Sequence, residues 1–155
     1  MPETPWLDDE EQHAWRRLAA VMLKLPSELE QQLQRDAGLS HFEYWVMALL
    51  SEADGRRLRL SHLAAQANAS LSRLSHVVTR LERRGWVTRA PCPDDARATL
   101  AVLTDAGDAE VVAAAPGHVR TVRRLVFDAL DREDVHDLAR VCGAIARRLD
   151  KPPAS

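Results

Sequence analysis

Residues 69–86 read ASLSRLSHVVTRLERRGW. Leu71, Leu74, Val77, Val78 and Leu81 recur at the three- and four-residue spacing of an amphipathic helix that buries one side. At about 100° per residue, Ser72, His76, Thr79 and Arg83 point away from that stripe, with Arg73 and Arg80 flanking them, and this outer face carries no acid. Gly85 stops the helix. Upstream, Ser61 is an N-cap candidate for a brief helix, HLAAQAN, and Asn68-Ala69-Ser70 is the turn before the longer one. Short helix, turn, longer helix is the layout of a helix-turn-helix. Downstream, WVTRA (86–90) and TLAVL (99–103) alternate as strands do, joined by the Pro- and Asp-rich stretch PCPDDARA, which predicts a β-hairpin with a long tip.

The charge is unevenly spread around this region. The whole chain of 155 residues is formally −2, yet residues 55–97 hold nine arginines, no lysine and only Glu82, Asp94 and Asp95 as acids, a local balance of +6. Residues 1–54 hold four basic and eleven acidic residues, and residues 98–155 hold eight and nine. A local excess of that size attracts a polyanion even when the whole molecule does not.

On either side lie longer helices. Trp15, Leu18, Met22, Leu25, Leu29 and Leu33 keep one face of a helix over about Asp8 to Asp36, which Pro26 should bend or interrupt and Gly38 closes. The acid run DDEE at 8–11 suits the positive end of that helix dipole. Ser40 with Glu43 forms a capping-box pattern, and Phe42, Trp45, Val46, Leu49 and Leu50 supply the buried face of a second helix ending near Asp54-Gly55. RRLRL at 56–60 reads as a short extended piece. Thr104 caps a helix to about Asp128, kinked at Pro116-Gly117, and Asp131 caps a last one whose apolar face holds Val135, Leu138, Cys142, Ile145 and Leu149. The tail KPPAS should fray.

At 46% hydrophobic residues the chain can bury a core and form one domain, or one core with a helical extension, and no window approaches eighteen uninterrupted apolar residues, so a membrane span is not expected. MPETPWLDDEEQ lacks the features of an export signal, which makes the cytoplasm the expected compartment. Two cysteines make no disulfide framework. The six histidines show no H-E-x-x-H, and no Cys-x-x-Cys occurs, so no cofactor or metal site is evident in the sequence.

Two segments together carry a resemblance to a known family. LSHLAAQANASLSRLSHVVTRLERRGWVTRA, with its L-E-x-R-G ending, and DARATLAVLTDAG, with D-x-R followed by L-T-x-x-G, resemble the paired helices and wing of the MarR family of winged helix-turn-helix regulators. The resemblance covers nearly the whole chain. It implies a mainly α fold with a small β-hairpin wing, in which about 39–104 form a DNA-binding lobe and about 8–36 and 105–150 a helical dimerisation region of a single domain. It further implies a homodimer on double-stranded DNA, not an enzyme. Ala96 stands where the family usually carries a second basic wing residue, so the wing grip should be weaker.

A helix fits the major groove, where an arginine can make a bidentate contact with guanine and short hydroxyls reach bases or phosphates. Ser72, Arg73, Ser75 and His76, in the N-terminal half of the helix, are assigned base-edge or near-base roles, and Arg80 a phosphate contact. Ser61 and Ser70 sit at helix starts, where backbone N–H groups also favour phosphate, with simple capping as the alternative. By resemblance Arg97 reaches the minor groove while Asp95 holds its guanidinium, with a plain hairpin-tip ion pair as the alternative. The family likeness also implies a small aromatic or phenolic effector; Trp15, Met22 and Trp45 are placed to border its cavity, or else simply to pack the core.

Other constellations weigh less. Ser72 and His76, one turn apart, have no third orienting group, so a hydrolase reading is poorly supported. Cys92, in a loop expected to be exposed near Arg89 and Arg97, suggests an oxidant-sensitive thiolate, whereas Cys142 reads as a small core residue. A dimer of the same fold that binds another protein instead of an operator is the remaining rival.

Overall fold

The computed structural model describes residues 4–150. The expected fraying of KPPAS concerns residues outside that range. The chain divides into two compact units, Met1–His118 and Val119–Ser155.

The first unit opens with α1 (Asp9–Ala37), begun by a capping box in which the Asp8 carboxylate accepts from Glu11 N–H (2.8 Å) and Glu11 accepts from Asp8 N–H (3.0 Å). Pro26 lies inside the helix without ending it. Gly38 ends it at φ +62°, a left-handed conformation in which its N–H returns to the Gln34 carbonyl at 3.1 Å. The α2 helix (His41–Glu52) starts from the reciprocal Ser40–Glu43 box read from the sequence. A single 3-10 turn (Asp54–Arg56) leads into β1 (Arg57–Arg59), which runs without a loop into α3 (Leu60–Gln66). Ser61 therefore lies inside the first turn of α3 and does not cap it; the residue before the helix is Arg59, and it makes no side-chain cap. Pairing of β1 with the wing fixes this junction instead of a hydroxyl.

Helix α4 (Leu71–Arg83) buries Leu74, Val77, Val78 and Leu81 against Leu33, Leu39, Val46, Met47, Leu50 and Leu63. These side chains are removed from water almost completely, and each stabilises the lobe by about 1.5–3 kcal/mol through burial. Leu71 departs from the expected stripe: it is 54% exposed, because the first residue of the helix lies beyond the edge of the core. Trp45 of α2 departs likewise, at 45% exposed.

Strands β2 (Val87–Cys92) and β3 (Asp95–Leu103) form the hairpin, with β1 on the other side of β3, giving the antiparallel order β1-β3-β2. The tip is shorter than the sequence suggests, because Pro91 still pairs with Thr99 before the register shifts at Cys92. Proline is tolerated there since β2 is an edge strand and needs no second set of ladder bonds. This extension carries Cys92 into a buried position, 7% exposed, and overturns the reading of it as an accessible thiolate in a loop.

Helix α5 (Asp105–Leu125) is capped by Thr104, whose hydroxyl accepts from Gly107 N–H (3.0 Å) and donates to the Gly85 carbonyl (2.7 Å). The Pro116-Gly117 pair does not interrupt it. Arg56, the last residue of the 3-10 turn before β1, is tied to the start of this helix through Asp105 (3.1 Å) and Asp108 (2.7 Å).

His41, Tyr44 and His118 meet in this unit, with His118 ring centroids 4.7 Å from Tyr44 and 5.8 Å from His41. Burial lowers the pKa of both histidines; Glu30 partly offsets this for His41, and His41 adds to it for His118. A base with a depressed folded pKa leaves the unfolded chain binding more protons, so the stability present above the unfolded value of about 6.5 is lost as pH falls toward the folded values. Thermal midpoints should therefore drop as pH falls below about 6.5, and His118→Phe should flatten that drop; an equally steep drop in the variant would refute the assignment.

The second unit contains a 3-10 turn (Phe127–Ala129) and α6 (Arg132–Leu149), started by an Asp131–Asp134 capping box. No residue of α6 is buried, and Leu138, Val141, Ile145 and Leu149 are exposed on it. Cys142 is also exposed, which corrects its reading as a core residue: it shares the apolar stripe of α6, a helix with no buried residue. No helix among the described residues is long and apolar enough to cross a membrane.

Candidate nucleic-acid interface

The outer face of α4 is built from its N-cap upward. Ser70 accepts from Arg73 N–H at 3.1 Å, so its hydroxyl caps the helix as the sequence suggests. Ser72, Arg73, His76 and Arg80 are exposed, while Ser75 and Thr79 are half-buried. The Arg73 guanidinium rests over the Phe42 ring, 4.1 Å from its centroid, a contact worth about 0.5–1 kcal/mol at an exposed site. Phe42 thus packs the arginine while leaving its donors in water.

Arg80 is more constrained than its sequence position suggests. Its Nε donates to Glu43 at 3.1 Å, and Glu43 is buried and already holds the Ser40 N–H. Half of the Arg80 side chain stays exposed, so its terminal nitrogens remain free to meet an anion while Nε braces α4 against α2.

Arg89 on β2 is a participant that the sequence did not single out. It forms an ion pair with Glu82, and its Nη2 donates to the Ser75 carbonyl (2.9 Å), the Ser75 hydroxyl (3.1 Å) and the Thr79 hydroxyl (3.2 Å). The Arg89 N–H also donates to Glu82 at 3.2 Å. A rigid guanidinium fork can satisfy several acceptors at once, and here it fastens the wing to α4. The only available signal was Glu82, the single acid of α4, with Arg89 following across the Gly85 turn.

At the wing, Asp95 holds Arg97 through the backbone: Oδ1 accepts from Arg97 N–H at 3.0 Å. Its other oxygen, Oδ2, faces Arg59 Nη1 at 3.8 Å, so the guanidinium beside Asp95 comes from β1 and not from the wing position expected. Arg97 itself is exposed. Between wing and α4 lies a cleft of about 410 Å³, lined by Arg59, Ser61, Leu71, Ser75, Asp95 and Arg97 among others. The structure therefore brings Ser61, Ser75, Asp95 and Arg97 together around one cleft, with Ser70, Ser72, Arg73, His76 and Arg80 along the adjoining helix. Trp15 (51% exposed) and Met22 (49%) lie apart from it on α1, and Trp45 on α2.

The family profile described as "MarR family" matches residues 39–99. The structure of Sco3205, a MarR family transcriptional regulator from Streptomyces coelicolor solved in complex with DNA, is 42% identical, covers 100% of this chain and 97% of its own, and superposes with a TM-score of 0.93. AbsC, a MarR family transcriptional regulator from the same organism, is also 42% identical, covering 94% of this chain and 98% of its own, with a TM-score of 0.89. The HTH-type transcriptional repressor YetL of Bacillus subtilis is 28% identical over 96 residues, 62% of this chain and 58% of that protein's length. With its winged helix and its likeness to Sco3205 over nearly their full lengths, the chain belongs to the MarR family of transcriptional regulators.

Proposed function

We propose that the chain is a sequence-specific, double-stranded DNA-binding repressor that works as a homodimer in the cytoplasm on a pseudopalindromic operator. The observation that carries this is the acid-free outer face of α4, where Ser72, Arg73, His76 and Arg80 are exposed beside a wing bearing Arg97. That Sco3205 was solved with DNA supports the same reading. Ser72, Arg73, Ser75 and His76 take base edges, Arg80, Ser61 in the first turn of α3 and Ser70 at the start of α4 take phosphates, and Arg97 enters the minor groove.

Residues of about 39–104 act as the DNA-binding lobe of a single domain, and those of about 8–36 and 105–150 as its dimerisation region. Leu18, Val21 and Leu23 on α1 and Leu138, Val141 and Ile145 on α6 expose apolar surface that a second copy would cover. Two recognition helices on one duplex face require half-sites centred about 10 bp apart, or a multiple. Ligand response, through a small aromatic or phenolic effector near Trp15, Met22 and Trp45, requires that the effector prefer the DNA-incompetent spacing of the two helices.

The test is a fluorescence-anisotropy titration against duplexes selected from a random pool. Arg73→Ala should cost about 1–3 kcal/mol on the selected duplex and blur its advantage over scrambled DNA, whereas Arg80→Gln should weaken both alike. A stoichiometry of two chains per site reports the dimer. Unchanged affinity and preference in Arg73→Ala would refute the base-contact assignment, and a wild type that ignores all duplexes would leave the protein-binding rival.

A further inference from the structure

We propose that Arg59, at the end of β1, is a DNA-contacting residue that grips a backbone phosphate in the cleft between α4 and the wing; this rests on the DNA-binding reading above. The cleft combines Arg59, Arg97 and the hydroxyls of Ser61 and Ser75 with a single carboxylate, Asp95, so its walls offer mainly donors and a net positive charge. A phosphodiester is the matching chemistry: singly anionic, rich in acceptors, and repeated along any duplex that α4 and the wing straddle.

Asp95 lies near the Arg59 guanidinium without using up its donors. At 3.8 Å the two groups lie beyond hydrogen-bonding distance, and both side chains are 44% exposed, so water screens their attraction. Arg59 thus keeps five N–H donors for an incoming anion. Its backbone is fixed by pairing with Leu100 of β3 and by the start of α3, which makes its position at the cleft wall independent of any ligand. Asp95, in turn, has its other oxygen committed to Arg97 N–H and stays put when Arg59 turns to phosphate.

The experiment measures duplex affinity over a salt series for the full chain, as wild type, Arg59→Gln, Arg59→Lys, Asp95→Asn and the Arg59→Gln/Asp95→Asn double variant. Arg59→Gln should weaken selected and scrambled duplexes alike, by about tenfold at low salt, and reduce the slope of log affinity against log salt by about 0.9 per half-site. Arg59→Lys should restore the slope, because counterion release needs only the charge. Asp95→Asn removes a negative charge from the cleft while its side-chain oxygen can still accept from Arg97 N–H, so this variant should bind more tightly than wild type, and Arg59→Gln should still cost about tenfold in its background. If Arg59 served only to position Asp95, its substitution would be silent there, which overturns the proposal. Replacing chloride by inorganic phosphate at equal ionic strength should leave affinity unchanged; a phosphate-specific loss that Arg59→Gln abolishes would mark a free-anion site and overturn the assignment to the polymer. If wild type binds and Arg59→Gln matches it in affinity and slope, only the Arg59 assignment falls; if wild type binds no duplex, the DNA-binding reading falls with it.

Discussion

Replacing Arg89 with methionine is expected to lower duplex affinity about a hundredfold, equivalent to roughly 2.7 kcal/mol. Its guanidinium joins β2 to α4 by acceptors on Ser75, Thr79 and Glu82, so the wing and the reading helix are held at one separation before any ligand arrives. Methionine keeps the stem but removes every donor. Glu82 and the Ser75 carbonyl then lose a charged partner in a half-buried setting, where such bonds contribute about 1.5–3 kcal/mol each. The freed wing must be ordered again on binding, and that ordering is subtracted from affinity. A double-mutant cycle separates this from general damage: Arg97→Ala should cost about tenfold in the wild type and much less beside Arg89→Met, because a wing that is no longer aimed gains little from its tip. Equal Arg97→Ala penalties in both backgrounds would show that Arg89 does not aim the wing.

That linkage also marks where sequence reading stops. Leu74, Val77, Val78 and Leu81 were legible because helical periodicity is local, and the Ser40, Ser70, Thr104 and Asp131 caps because a cap and its target lie within one turn. Leu71 and Trp45 belong to the same kind of stripe yet stay exposed, since periodicity gives the direction of a side chain and not the extent of the surface it meets. Pro91 and Cys92 read as loop because proline is a turn signal; only the edge position of β2 makes a strand there acceptable, and edge or centre is a property of the assembled sheet. The partners of the basic residues were out of reach for a similar reason. Arg80 finds Glu43 from another helix, and Asp95 finds Arg59 from another strand, across separations that no local pattern spans. The face that contacts DNA under the proposed function was thus evident from composition, whereas the braces that hold it are tertiary.

Two glycines beside the wing should respond to alanine for different reasons, and the contrast tests how the lobe is assembled. At Gly107 an added Cβ would lie 2.2 Å from the Trp86 carbonyl oxygen, 2.9 Å from its carbon and 2.7 Å from Leu103 Cδ1. The obstacle is backbone, and it is already engaged: the same Trp86 oxygen accepts from Thr104 N–H at 3.0 Å. Relief requires the first turn of α5 to lift from the wing base, disturbing the Thr104 bridge to Gly85 and the Arg56 ion pairs with Asp105 and Asp108. Gly107→Ala should therefore cost on the order of 3 kcal/mol, at the upper end for overpacking, which corresponds to a fall in Tm of roughly 6–12 °C. At Gly85 the space is open, with nothing within 4 Å of an added Cβ, but φ is +76°. Only the left-handed backbone resists alanine there, so Gly85→Ala should cost about 1–2 kcal/mol, and asparagine, which tolerates that conformation, should recover part of it. Thermal unfolding of the three variants under one buffer checks both claims. If Gly107→Ala melts no lower than Gly85→Ala, α5 does not close on the Trp86 carbonyl in solution, and the wing base is looser than the geometry requires.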